Sequence, residues 1–114
     1  MKLLVFAAVL ATATVVAQTP TGNADNGKRI FVKDGCYECH GYAGQGGAAG
    51  ARIATIGLNA PGLIRYVRAP AGQMPAYTAK VISDQELTDI WAFLQSLPKA
   101  KPVKDIPLLN EMAK

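Results

Sequence analysis

The chain has 114 residues and a formal net charge of +4, so it forms one domain at most. That balance is too small to argue for nucleic acid as a partner and allows docking to an acidic patch on a protein. Four tyrosines, three phenylalanines and one tryptophan are few for this length, which predicts a modest core with room for a large apolar group to complete it.

The first residues stand apart. Met1-Lys2 is a short positive region, and residues 3–16 form an uncharged apolar run. Val15-Val16-Ala17 places small residues where a signal peptidase cuts, so residues 1–17 read as a cleaved secretory signal. The run is short for a membrane span, and the chain would be held at a membrane only if the segment stayed uncleaved. A secretory signal predicts an oxidising compartment, where thiols are bridged or covalently used. Its removal leaves roughly 97 residues and takes the formal charge from +4 to +3, because Lys2 is lost.

Residues 18–22 are a polar, proline-containing lead-in. Asn23 or Asp25 can cap a helix that runs to about Lys33. Gly27 and Phe31 lie one turn apart on one face of it. A glycine inside a helix costs about 1 kcal/mol against alanine. It either lets a second helix cross closely, with Phe31 filling the gap beside it, or is a tolerated surface position. Asp34-Gly35 ends the helix and delivers Cys36-Tyr37-Glu38-Cys39-His40.

These five residues read C-x-x-C-H, the spacing that attaches a c-type haem. Two thiols three positions apart can each add to a vinyl group on one porphyrin edge, and the next imidazole can swing under the ring to the iron. Cys36 and Cys39 are the only cysteines and His40 the only histidine. Three other readings compete. A redox dithiol needs a strand before it and a βαβ pattern around it, and neither is visible. A structural zinc needs four ligands where this chain supplies three. A plain disulfide leaves the adjacent histidine unexplained.

Residues 41–50 are glycine-rich with no hydrophobic period, which suits close backbone approach to a planar cofactor more than a flexible linker. Ile53, Ile56 and Leu58 follow and can reach the cofactor face. Asn59-Ala60-Pro61 starts the next helix, whose apolar side is Leu63, Ile64 and Val67, with Arg65 and Arg68 pointing elsewhere and Pro70 as the stop. The stretch from Ala71 to Tyr77 is irregular. Met74, held by Pro75, can offer its thioether to the open side of an iron, or it can be core filler. Met1 leaves with the signal and Met112 sits in the tail, so Met74 is the methionine left for the interior.

Ser83 and Glu86 stand in capping-box spacing, and Leu87, Ile90, Trp91, Phe93, Leu94 and Leu97 follow at helical period until Pro98. This helix is the natural partner of the Gly27/Phe31 face, with Trp91 and Phe93 as core residues. The tail, residues 99–114, alternates lysines with Pro102 and Pro107 and cannot be one helix. It can wrap the domain, grip a partner through Ile106, Leu108 and Leu109, or be a loose terminus.

With these pieces in this order, residues 24–97 resemble the small class I c-type cytochromes of bacterial periplasms. The resemblance rests on the glycine–aromatic first helix, Cys36-x-x-Cys39-His40 and the glycine-rich loop. It continues through Tyr66-Val67-Arg68-Ala69-Pro70, Met74-Pro75 and the last helix with Trp91 and Phe93. It implies an all-α fold in which the N- and C-terminal helices cross around one covalently bound haem c, with residues 18–98 as the cytochrome c domain and 99–114 as an extension. Cys36 and Cys39 match the thioether positions, His40 the proximal iron ligand and Met74 the distal one. Such cytochromes often carry a proline after the loop glycine, where Gly50-Ala51-Arg52-Ile53 stands here. In the family that residue's carbonyl orients the histidine; alanine keeps the carbonyl but frees φ. Arg52, by its guanidinium fork, and Tyr77, by its hydroxyl, are candidates to pair a haem propionate.

Function then follows from coordination. With His40 and Met74 both on iron no position is open to substrate, and the expected role is a periplasmic single-electron carrier between redox proteins such as a dehydrogenase, an oxidase or another cytochrome. Two alternatives remain open. One is an electron-accepting subunit of a dehydrogenase complex, held in a hetero-oligomer by the tail. The other is a haem sensor or peroxidase-like enzyme, which requires the sixth position to be free.

Overall fold

A computed structural model of the protein describes residues 21–112; the segment predicted as a signal, residues 1–17, lies outside them. The described chain is all-α and contains no strand. Helix α1, Ala24–Lys33, starts where Asn23 accepts the Asn26 backbone N–H at 3.0 Å. It buries Gly27, Ile30 and Phe31, the single face that a 3.6-residue period allows. Helix α4, Asp84–Ser96, starts with both halves of the capping box. The Ser83 hydroxyl accepts the Glu86 N–H at 3.2 Å, and the Glu86 carboxylate accepts the Ser83 N–H at 2.8 Å.

Helices α1 and α4 cross at Gly27. A Cβ built on Gly27 would overlap the Asp89 carbonyl and sit 2.7 Å from the Ile90 nitrogen, so only glycine allows this approach. Phe31 fills the space beside the crossing and meets Phe93 with ring centroids 5.4 Å apart, tilted at 59°. Of the two readings of Gly27, the close crossing is the one realised.

A polar lock holds the same crossing. Asp89 is 5% exposed and accepts from the Asn23 backbone N–H at 2.8 Å, the Asn26 amide at 2.7 Å and the Gln85 amide at 3.0 Å. Burial alone would raise its pKa, but these three donors outweigh it and hold the carboxyl below its ordinary value.

Helix α3, Ala60–Arg68, is capped by Asn59, which accepts the Gly62 N–H at 2.9 Å, with Pro61 in the first turn. It buries Gly62, Leu63 and Val67 and packs against α4. The segment before it is strapped to α4 by three bonds. The Thr55 N–H donates to the Leu94 carbonyl at 2.9 Å, the Gln95 amide to Ile56 at 2.7 Å and the Trp91 indole N–H to Leu58 at 2.8 Å. Trp91 is therefore half-buried, with its ring on the core and its N–H on the strap, whereas Phe93 is buried as expected.

The tail forms a 3₁₀ turn, Val103–Asp105, and a short helix α5, Pro107–Met112. Among the described residues helix α5 packs on that turn and on no other helix, leaving Val103, Leu108, Leu109 and Met112 exposed. No helix of the described residues is long and apolar enough to cross a membrane.

Candidate cofactor site

Gly35 takes a left-handed conformation (φ 77°) directly after α1 and turns the chain into a five-residue helix α2, Cys36–His40. This helix was not legible as an element, because five residues are too few for a hydrophobic period. Its geometry supplies what the motif needs. Residues three apart share a face, so Cys36 and Cys39 line one cavity together and are not bridged to each other. Burial, aided by the nearby Asp34 charge, pushes the Cys36 thiol up to about 11. A disulfide-exchange dithiol needs the opposite, a thiol lowered toward neutrality. Among the described residues, no three histidine, cysteine or acidic side chains converge as a zinc site would require.

The cavity has a volume of about 650 Å³ and its walls are largely apolar, with Phe31, Ile53, Ile56, Leu63, Val67 and Leu94 among them. That size falls within the roughly 300–1,000 Å³ typical of cofactor sites. Cys36, Cys39 and His40 of the motif line it together with Arg52, Met74 and Tyr77, which come from later in the chain.

The His40 ring is oriented from behind. Its Nδ1 lies 2.7 Å from the Ala51 carbonyl oxygen. A carbonyl can only accept, so Nδ1 carries the proton and Nε2 keeps its lone pair for a metal. Alanine at this position thus supplies the carbonyl without the ring of a proline. The loop is folded tightly enough to put it there. The Gly46 N–H donates to the His40 carbonyl at 2.8 Å, and a Cβ on Gly50 would come within 2.7 Å of the Cys39 carbonyl. Tyr37, between the two thiols, stacks on Tyr42 of the loop with centroids 4.3 Å apart.

Met74 is half-buried on the segment between α3 and α4. The Arg52 guanidinium lines the cavity and donates from one nitrogen to the Pro98 carbonyl at 3.1 Å. The Tyr77 hydroxyl donates to the Asp34 carbonyl at 3.1 Å, and burial raises its pKa, with the charges around Cys36 and Asp34 adding to the shift. Asp34 itself keeps one carboxylate oxygen, Oδ2, buried without a partner among the described residues. Sequence reasoning missed Arg68. Placed there on an outward face, it folds back to bond Tyr77, Ile82 and Asp84. No periodicity could reveal this, since the acceptors are two loop carbonyls and a carboxylate.

Helices α1 to α4, with α1 and α4 crossed and a thiol–thiol–imidazole set on one apolar cavity, define a haem-binding, electron-transfer class of domain. Residues 22–94 match the family described as cytochrome C oxidase, cbb3-type, subunit III, and the chain belongs to it. It is a cytochrome c domain, an electron-transfer protein with one covalent haem c, for which Cys36 and Cys39 form the C-x-x-C attachment motif. The chain is also similar to the menaquinol:cytochrome c reductase cytochrome c subunit of Bacillus subtilis (strain 168), with 34% identity over 68 residues. That match covers 60% of this chain and 26% of the relative, so the chain spans about a quarter of the relative's length. No solved structure matches the chain.

Proposed function

We propose that the protein is a periplasmic single-electron carrier whose haem iron is held by His40 and Met74. The observation that carries this reading is the convergence of both thiols, the sole histidine and Met74 on one apolar cavity. Haem supplies a one-electron couple. The chain's residues decide what that couple does. His40, fixed as the Nδ1–H tautomer by Ala51, presents Nε2, and Met74 supplies a soft thioether. His40 and Met74 would together hold the iron, which would then exchange electrons and take no substrate. The thioether and the apolar walls both favour the ferrous state.

Arg52 is proposed as a propionate partner, since its guanidinium has donors beyond the one given to Pro98. Tyr77 is the second, and would have to release the Asp34 carbonyl to serve. The periplasmic assignment rests on the sequence of residues 1–17, as does their removal.

The test is an absorption spectrum of the protein matured with haem c, oxidised and reduced. A c-type reduced spectrum together with the near-infrared sulfur-to-iron band of the ferric form is the expected result. A high-spin ferric spectrum and rapid carbon monoxide binding by the ferrous form would instead mark an open site, as a sensor or peroxidase-like enzyme needs.

One observation favours a second reading, a subunit of a larger oxidoreductase complex. The Bacillus subtilis relative is by name a reductase subunit, and the tail here exposes Val103, Leu108 and Met112. The redox partner would then be a fixed neighbour, a dehydrogenase or reductase subunit, and co-purification at fixed stoichiometry decides between the two.

A further inference from the structure

We propose that Arg68 is the positioning residue that keeps Met74 at the iron, acting through the backbone of the segment that carries the methionine; this rests on Met74 being the ligand. The segment between α3 and α4 is an arch with ties only at its ends. Between Pro70 and Ala76 the backbone makes a local turn at residues 72–73 and gives no hydrogen bond to another element among the described residues. The arch is closed where the Tyr77 N–H donates to the Val67 carbonyl at 3.1 Å and where Arg68 takes hold.

The Arg68 guanidinium does so with three bonds. Nη1 donates to the Tyr77 carbonyl at 2.8 Å. Nη2 donates to the Ile82 carbonyl at 2.8 Å and to the Asp84 carboxylate at 2.6 Å. One side chain therefore ties the end of α3 to both the far foot of the arch and the start of α4. The Arg68 side chain is 23% exposed, so solvent screens these bonds only in part. A planar fork suits three acceptors in different directions, whereas a lysine ammonium is a point donor on a flexible stem. Removing the fork leaves two carbonyls short of partners and frees one foot of the arch. Met74 lies three residues from that foot, packed against the core but with no hydrogen bond to another element among the described residues.

The sixth position of the ferric holoprotein can be probed with exogenous imidazole, which competes with Met74. The variants are Arg68→Gln, Arg68→Lys and, as a control for general destabilisation away from the arch, Asp89→Asn. Imidazole is expected to bind Arg68→Gln about tenfold more tightly than the wild type, the scale of a lost charge-assisted hydrogen bond. The near-infrared sulfur band should weaken in parallel. Arg68→Lys should fall between the two, and Asp89→Asn should bind imidazole as the wild type does. Unchanged imidazole affinity in Arg68→Gln overturns the proposal, and so does an equal gain in Asp89→Asn. If Arg68→Gln does not fold, Arg68→Lys carries the test, and wild-type imidazole affinity in it overturns the proposal. A wild-type protein that lacks the sulfur band removes Met74 from the iron, and this inference falls with that ligation before any variant is compared.

Discussion

At the scale of single residues, the site depends on groups with few polar contacts of their own. His40 has one polar partner in its ring plane, the Ala51 carbonyl, and that bond selects which nitrogen faces the cofactor. Met74 contributes a sulfur and no hydrogen bond. With Met74 as the proposed ligand, replacing it with alanine should keep the covalent haem while opening the iron. In Met74→Ala the near-infrared sulfur band should vanish and the ferrous form should bind carbon monoxide rapidly; retention of the band would place another ligand on the iron. Gly27 is the opposite kind of residue, purely structural. A methyl group there would overlap the Asp89 carbonyl in the middle of a helix crossing. Gly27→Ala should cost about 1–3 kcal/mol of stability, the usual range for overpacking a fitted contact, read as a lower midpoint in denaturant titration. The gain in helix propensity would offset only part of this.

Among the elements, the α1–α4 crossing carries the core. Phe31 and Phe93 supply its apolar contact and Asp89 its polar one. Desolvation pushes the Asp89 pKa up, and the Asn23, Asn26 and Gln85 donors pull it further down, so its folded value lies below the ordinary aspartate value of 3.8. A carboxyl with a depressed folded pKa stabilises the fold above the unfolded value and loses that contribution as pH falls through the folded one. Thermal melting should hold steady from neutral pH down to about pH 4 and then fall. Asp89→Asn, which cannot titrate, should lower stability at neutral pH and flatten that acid limb. An acid limb of wild-type steepness in Asp89→Asn would assign the titration elsewhere, with Glu86 of the capping box, also held low by its bonds to Ser83, as the next group to test.

For the whole molecule, the expected division is between the cytochrome c domain and its tail, residues 99–114. The match to the family ends at residue 94, and among the described residues α5 packs only on the neighbouring 3₁₀ turn. The proposed division at residue 98 predicts that a chain ending at Pro98 keeps its haem spectrum and melts within a few degrees of the full-length protein. Pro98 must stay, because its carbonyl receives the Arg52 guanidinium. If the protein is a subunit of a complex, the same truncation should abolish co-purification with its partner while leaving the spectrum intact. A large fall in melting temperature would show instead that the tail is part of the core.

Much of this was legible in the chain itself. The C-x-x-C-H motif, the Ser83/Glu86 capping box, the helical period from Leu87 to Leu97 and the glycine–aromatic face of α1 are short-range patterns. Each is set by the chemistry of residues within a few positions of one another, so reading along the chain finds them. Three other features belong to the tertiary structure. The Ala51 carbonyl meets His40 only because the glycine loop folds back on α2, and the strap of Thr55, Ile56 and Leu58 on α4 joins residues more than thirty positions apart. Arg68, which periodicity placed outside the core, finds its three acceptors only once α3 and α4 have packed and closed the arch between them. Hydrogen bonds to backbone carbonyls leave no mark on side-chain pattern, because every residue offers the same acceptor. The sequence thus determined which groups could hold and ligate a haem, and the packing of distant segments decided how those groups are oriented and held.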